Sequence, residues 1–340
     1  MTTESGLGAP ARLRSIDFPA EVEPVVELLT TTNMHDQPGW FPTVPGLTND
    51  WAPTSSFFPE RDLQGLELDG RLVGLARHSW RDRPSVVNHR IEVWVHPAHR
   101  RRGFGTRLLE WATARARESA MEPHGLDPAK PHQLGGQGPD SVPAAAAFAG
   151  AHGFVPFRYH FEMRRPLADP IPDVALPDGL ELRPALPEQF RTIWEADEEA
   201  FRDHWDHAAP VDGDYEQFLG DPELDPSLWQ VAWAGEEVAG LIINTIYARE
   251  NELEGVLVGW LDSVATRRPW RGRGLAGALI VRSLAALRDR GMTEAGLGVD
   301  AENPTGALHL YEKFGFRRIR TWVFYRRPLD PAGTSELGSP

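Results

Sequence analysis

The chain repeats itself. Arg164-Arg165-Pro166-Leu167 returns as Arg326-Arg327-Pro328-Leu329, and a Gly-Phe pair precedes each at the same interval, Gly153-Phe154 and Gly315-Phe316. Both landmarks share an offset of 162 residues. Upstream, Arg100-Arg101-Arg102-Gly103-Phe104-Gly105 matches Arg271-Gly272-Arg273-Gly274-Leu275-Ala276 at an offset of 171. Asp69–Gly74 resembles Ala234–Gly240, and Leu13-Arg14 and Leu182-Arg183 open the two series. Landmarks recurring in one order point to two copies of one unit rather than a single large domain. The expected division is a first domain over 1–168, a Pro/Asp-rich linker over 169–178, a second domain over 179–330 and a loose polar tail over 331–340.

The second copy shows its elements more clearly. A strand near Leu180–Arg183 leads to a helical region over Glu188–Leu219. A hairpin follows, Trp229–Trp233 and Val238–Ile246 around Ala234-Gly235, then a strand over Val256–Thr266. Leu275, Leu279, Leu284 and Leu287 keep a helical period that Gly291 is placed to end. A strand near Ala295–Val299, a helix over Thr305–Phe314 and a strand over Arg317–Arg326 complete the unit. Strands interleaved with helices imply an α+β (mixed α/β) fold, a sheet covered by helices in each copy.

Composition narrows the function. The net charge is −14, which argues against a nucleic-acid partner. Residues 1–170 hold 18 Lys+Arg against 20 Asp+Glu, a net of −2; residues 171–340 hold 17 against 29, a net of −12. With no cysteine, disulfides, thiolate metal sites and a cysteine nucleophile are excluded. No apolar run reaches the ~18 residues of a membrane span, and Met1-Thr2-Thr3-Glu4-Ser5 lacks a signal-peptide pattern. A cytoplasmic protein without a membrane or nucleic-acid partner is expected.

Arg271 to Gly277 joins a strand directly to a helix. Glycines let backbone approach a ligand closely, and amides at a helix N-terminus attract an anion such as a pyrophosphate. Gly272-x-Gly274-x-x-Gly277, with Glu294 beyond it, also matches a dinucleotide fingerprint. That fingerprint needs its first glycine immediately after the strand, whereas Arg267-Arg268-Pro269-Trp270 intervenes here. A P-loop is excluded because no Gly-Lys-Ser/Thr follows.

The pattern common to both copies is Arg-x-x-Gly-x-Gly/Ala after a strand and opening a helix. In the second copy Val264-Ala265-Thr266 precedes it; Asn303 and Leu310-Tyr311-Glu312-Lys313-Phe314-Gly315-Phe316 come later. The ensemble resembles the GNAT superfamily of acyl-CoA-dependent N-acyltransferases, here over nearly the whole chain as two tandem domains, each with a mixed, splayed sheet. The resemblance implies acetyl-CoA as acyl donor and an amine as acceptor. It implies that Val264, Ala265 and Thr266 pair with the pantetheine, that Arg271, Gly272, Arg273, Gly274, Leu275, Ala276 and Gly277 take the pyrophosphate, and that Asn303 binds cofactor or caps a helix. In the first copy the matching positions are Val93, Val95, Arg100, Arg101, Arg102, Gly103, Phe104, Gly105 and Thr106.

The chemistry needs two proton movements. An alkylammonium, pKa ~10, must lose a proton before it attacks a thioester, and the departing thiolate must gain one. By resemblance Tyr311 is the general acid; a space-filling core tyrosine is the structural alternative. The base is less marked. Asp262 lies on the strand, and alternation sets Trp260, Asp262 and Val264 on one face. Some family members carry a glutamate where Trp260 stands. Asp262 could act through a water, as could Glu254 further back, and a structural ion pair explains either carboxylate.

The copies are unequal. Ala149 falls opposite Tyr311, Ala151 opposite Lys313 and Ser141 opposite Asn303, so the first copy lacks the phenol and is expected to support the acceptor site rather than catalyse. Other candidates are bland. Asp203, His204, Asp206 and His207, or Glu92, His96 and His99, lack a convincing ligand set, so no metal is expected. Trp194, Trp205 and Trp229 read as core. Twelve acidic residues between Glu195 and Asp225 face only Arg202 in sequence, which suggests a field for a cationic small-molecule acceptor or a solvated face. A non-catalytic acyl-CoA sensor and an acetyltransferase of a protein amine are the competing readings.

Overall fold

The computed structural model describes residues 10–36, 39–124, 127, 129–205, 207–303 and 306–330. The first half runs β1 (Arg12–Ser15), α1 (Val22–Asp36), α2 (Val44–Asp50), α3 (Pro59–Asp62), β2 (Leu63–Leu68), β3 (Arg71–Arg83), β4 (Val86–Val95), α4 (Phe104–Met121), β5 (His132–Pro139), α5 (Pro143–Ala151) and β6 (Val155–Pro166). The second runs β7 (Glu181–Arg183), α6 (Phe190–Phe201), α7 (Asp214–Gly220), β8 (Gln230–Ala234), β9 (Glu237–Thr245), α8 (Ala248–Glu254), β10 (Val258–Thr266), α9 (Leu275–Asp289), β11 (Glu294–Asp300), α10 (Ala307–Lys313) and β12 (Arg317–Leu329). The repeat is therefore structural, and the mixed, helix-flanked sheet is present.

The two sheets are not separate. All twelve strands form one sheet in the order β1-β2-β3-β4-β5-β12-β6-β11-β10-β9-β8-β7. Each half gives its last strand to the other. β12 pairs antiparallel with β5 from Trp322↔Pro139 to Leu329↔His132, and β6 pairs antiparallel with β11 from Glu294↔Pro166 to Asp300↔His160. The exchanged strands also pair with each other.

This exchange explains the repeated Arg-Arg-Pro-Leu. The second arginine of each motif crosses to the helix C-terminus of the other half. Arg165 donates from Nη1 to the carbonyl of Phe314, which caps α10, at 2.7 Å. Arg327 donates from Nη1 to the carbonyl of His152, which caps α5, at 2.9 Å. A guanidinium is favourable there because the last helical carbonyls lack intrahelical partners and carry the negative end of the dipole.

Apolar layers cover both sheet faces. In the second half, Ala232, Ala239, Ile242 and Leu261 pack with α9 and with Tyr311, Phe314 and Phe316. Val231, Trp233, Val238, Leu241 and Ala265 pack on the opposite face with Ile193 and Ala196 of α6. Alternate strand residues thus serve opposite cores, as the period of two requires.

The first half buries a hydrogen-bonded chain under the C-terminal part of α4. Arg115 Nε donates to Asp62 Oδ1 at 2.8 Å, and His78 Nδ1 lies 3.0 Å from the same oxygen. His78 Nε2 lies 3.0 Å from His89 Nδ1, and His89 Nε2 lies 2.8 Å from His132 Nδ1. Burial disfavours the imidazolium, lowering His78 and pushing His89 down to about 2, with the neighbouring cations adding to the effect. The unfolded chain takes up these protons near pH 6.5 and the folded chain refuses them. Their contribution to stability is therefore complete above pH 6.5 and is withdrawn as pH falls below it. In the folded protein, the ring-nitrogen shifts of His89 are expected to stay those of a neutral imidazole from pH 7 to 5. Charging above pH 5 would contradict this.

Candidate active site

β10 and β11 run parallel and pair only from Val258↔Glu294 to Leu261↔Leu297. Beyond Leu261 the strands part, and residues 262–266 have no partner on that edge. β4 and β5 repeat the arrangement, pairing from Val87↔His132 to Arg90↔Gly135 and then diverging. Val264, Ala265 and Thr266, like Val93 and Val95, therefore stand on strand segments with one open edge. Main-chain amides and carbonyls there can pair with an extended, amide-bearing ligand.

The loop after β10 has the shape its glycines predict. Gly272 and Gly274 adopt left-handed φ of 74° and 84°, and a Cβ at either meets nothing within 4 Å. The cradle is open to solvent. Gly274 is the N-cap of α9 and offers no side-chain cap, so the first α9 amides remain available to an anion. In the first half Gly103 caps α4 at φ 79°, and Arg101 takes the left-handed conformation (φ 62°) that Gly272 takes in the second.

Within the loops the side chains divide their roles. Arg271 donates from Nε to the Thr266 carbonyl at 2.9 Å and from Nη1 to Asp203 at 3.1 Å. Arg100 does the same, binding the Val95 carbonyl at 3.1 Å and Asp36 through both terminal nitrogens. These two arginines clamp the strand end to the C-terminal ends of α6 and α1. Arg273 is exposed, while Arg102 lies against His99 and over the Phe104 ring. Leu275 and Phe104 are core residues, so these two positions can offer only backbone to a ligand. Ala276 is half-buried. Gly277 is small because Phe314 lies 3.0 Å from where its Cβ would stand; Gly105 meets Phe148 in the same way. Thr106 Oγ1 is 3.2 Å from His152 Nε2.

Asp262 departs from the expected alternation. The β10–β9 register passes from Leu261↔Asn244 to Ser263↔Ile243, leaving Asp262 as the extra residue of a bulge. Trp260 and Asp262 both line a cavity, as their shared face predicts. Val264 does not join them: the bulge reverses its direction, and it packs with Leu261 in the α9 core. Asp262 Oδ2 accepts the Tyr247 hydroxyl at 2.9 Å, and Thr245 gives a further side-chain bond. Asp262 is open to the cavity; the protein crowded around it weakens its hydration and raises its pKa, opposed by these two donors.

The cavity has a volume of about 480 Å³. The second half contributes Tyr247, Glu250, Trp260, Asp262, Gly298, Asp221 and Glu223; the exchanged strands contribute His160, Glu162, Trp322 and Phe324; the first half closes it with 39–43 and Asp50. The first half thus supplies part of the cavity wall. A Cβ at Gly298 would lie 2.5 Å from His160 Nε2, so a larger residue there would displace that ring. Glu250 accepts the Phe41 amide at 3.3 Å, and burial carries its carboxyl up to about 8. Burial also raises Asp50 and Glu223, helped by Asp221 beside each.

Four of the twelve acids from Glu195 to Asp225 are paired with arginines distant in sequence. Glu199 pairs with Arg267, Asp203 with Arg268 and Arg271, Asp214 with Arg81, and Asp225 with Arg290. Asp197 accepts the Ser263 hydroxyl, and beside it Glu198 is pushed up to about 7 by burial, in a smaller pocket with Arg81 and His207. Only Asp221 and Glu223 of the run reach the large cavity. Asp206 lies outside the described residues.

Tyr311 sits on α10, 6% exposed, with its ring edge-on to Phe316 at 6.1 Å. Burial raises its pKa, so the phenol keeps its proton at neutral pH. It belongs to the α9-side core, whereas Asp262 opens to the other face. Asn303 is not the cap of α10; Gly306 holds that position. Glu254 pairs with Arg164, and Glu92 with Arg77 and Arg90. Trp205 stands edge-on to Phe324 behind the cavity wall, Trp194 lies beside Tyr215, and Trp229 is core. Sequence reasoning missed Tyr247, Glu250, His160 and Asp50. No motif marks them; only the approach of distant segments does.

Comparison with known proteins agrees with this geometry. The model of the acetyltransferase (GNAT) family matches residues 25–129 and 190–316, one stretch in each half. A mycothiol acetyltransferase of Thermobispora bispora is 33% identical over 264 residues, covering 77% of this chain and 82% of that protein. That of Cellulomonas flavigena is 29% identical over 99% of this chain and 94% of its own length. Among solved structures, a GCN5-related N-acetyltransferase from Sphaerobacter thermophilus superposes with TM-score 0.68 at 26% identity, covering 94% of this chain and 96% of its own. A tandem GNAT protein of the clavulanic acid pathway shares the fold, with TM-score 0.66 at 19% identity over 95% of this chain and 99% of its own. With the family pattern in both halves and relatives of the same tandem build, this chain belongs to the GNAT family of acetyltransferases.

Proposed function

We propose that the protein is an acetyl-CoA-dependent N-acetyltransferase acting on the primary amine of a small cationic molecule. One observation carries the reading. Asp262 and Gly298, the residues just past the last β10–β11 pair, both line the cavity, so the splayed strands and the cavity meet at one point. The open edge at 262–266 and the α9 amides behind Gly274 fit an acyl-CoA, which when bound would supply the thioester and its thiolate leaving group. The relatives named mycothiol acetyltransferase support a small-molecule acceptor.

The chain's own groups account for the protons. The carboxyls of Asp50, Asp221, Glu223 and Asp262 favour an ammonium ion in the cavity, while Glu250, carried up to about 8, is mostly protonated at neutral pH. Asp262 accepts one of its protons, leaving a neutral amine as nucleophile. Tyr311 donates to the leaving sulfur from the opposite side of the sheet, as an un-ionised phenol can. Trp260, Trp322 and Phe324 line the cavity walls and limit the water beside the reacting nitrogen.

The test is turnover of acetyl-CoA with a panel of cationic, neutral and anionic primary amines, read as free CoA thiol and as product mass. Cationic amines are expected to react best, with an acceptor KM that rises with ionic strength as screening shortens the field to ~8 Å. Preference for anionic amines, or thiol release without an acetylated product, would overturn the reading.

A further inference from the structure

We propose that Tyr247 is a positioning residue for the transfer reaction: with Thr245, it holds the Asp262 carboxylate towards the point where β10 and β11 part. The proposal rests on reading Asp262 as the base. A bulged residue lacks a ladder partner across the sheet, so the backbone alone fixes its side chain poorly. Here the neighbouring strand supplies what the ladder does not. Thr245 ends β9, and two residues on Tyr247 reaches back over the bulge to donate its hydroxyl to Asp262 Oδ2 at 2.9 Å. Tyr247 is itself half-buried in the cavity wall, and burial and the adjacent carboxylate hold it in the protonated, donating form.

Its effect is electrostatic as well as geometric. The other charged and titratable groups lining the cavity are Asp50 from α2, Asp221 and Glu223 beyond α7, Arg249 and Glu250 from α8, and His160 and Glu162 from β6. Arg320 and Arg164 already pair with Glu162, and Arg249 with Glu252. Weakened hydration and the nearby Asp221 disfavour a charged Asp262. Two hydroxyl donors oppose them, because a hydrogen bond to the ionised form stabilises that form. Without the phenol, Asp262 ionises at higher pH and its carboxyl is free to turn away from the acceptor.

The experiment compares Tyr247→Phe, Asp262→Asn and the double variant with the full-length enzyme, after thermal melts confirm that each folds. Tyr247→Phe is expected to move the acid limb of the kcat/KM profile up by about one pH unit, the scale of one hydrogen bond to a charged group. Activity at pH 7 should fall several-fold, while the KM for acetyl-CoA changes less than about two-fold. Independently of activity, the 13C-carboxyl resonance lost in Asp262→Asn should titrate at higher pH in Tyr247→Phe without substrates. In the Asp262→Asn background, Tyr247→Phe should cost nothing further, since both act through one group. An unmoved carboxyl titration, or an equal loss in the Asp262→Asn background, would overturn the role of Tyr247. Wild-type activity in Asp262→Asn would instead overturn the base assignment itself.

Discussion

A chain ended after Phe316 is expected to lose the fold of both halves, not only of the second. β12 is the partner of β5 along its whole length and of β6 beside it. Its removal bares two adjacent sheet edges in the middle of the molecule, where unpaired amides and carbonyls are costly and template aggregation. It also removes Val323 and Leu329 from the core, the Arg320 partner of Glu162, and the Arg327 bonds to His152 and Thr113. Leu329 belongs to the first-half core with Leu134 and Phe154. Circular dichroism, size exclusion and proteolysis of residues 1–316 are expected to show a poorly folded, self-associating chain with cleavage in both halves. A protected first half would mean that β5 does not depend on the exchanged strand. A separate peptide covering 317–329 should restore part of the protection.

Tyr311→Phe is expected to lower kcat by about 10²–10⁴, the range for loss of a positioned general acid. The KM for acetyl-CoA should stay nearly constant, because the strand edge and the glycine loop are untouched. The substitution keeps the ring packed against Phe316 in the α9-side core, so the melting temperature should move by only a few degrees. Acyl donors with a more acidic thiol should recover part of the loss, since such a thiolate leaves without a donated proton. An unchanged kcat would return Tyr311 to a space-filling role.

The divided use of the loops shows where sequence reading stops. The arginine that opens each glycine loop was expected to face a pyrophosphate. Arg271 and Arg100 instead bind the last strand carbonyl and an acidic residue at or just beyond the end of a helix, Asp203 after α6 and Asp36 of α1. The motif was legible because both halves carry it, but a one-dimensional pattern does not distinguish a residue that touches a ligand from one that holds the loop. The bulge at Asp262 is similar. Strict alternation predicted a shared face for Trp260 and Asp262 and failed at Val264, one extra residue being invisible to a period of two. Four acids of the run look unopposed in sequence because their arginines lie elsewhere in the chain.

The sequence by itself determined the local elements and their repetition. Apolar spacing set α9, glycines set the loop and the helix end, and the recurrence of loop, Gly-Phe and Arg-Arg-Pro-Leu required two copies. Tertiary structure alone decided how the copies share their strands, since β5 could pair with either terminal strand and both carry the same motif. It decided where Arg165 and Arg327 find their helix ends, on the opposite half. It also decided the cavity in which residues as distant as Asp50, His160, Tyr247 and Phe324 meet. Local propensity is encoded within a few residues, whereas a cavity between segments hundreds of residues apart exists only once burial and strand pairing have brought them together.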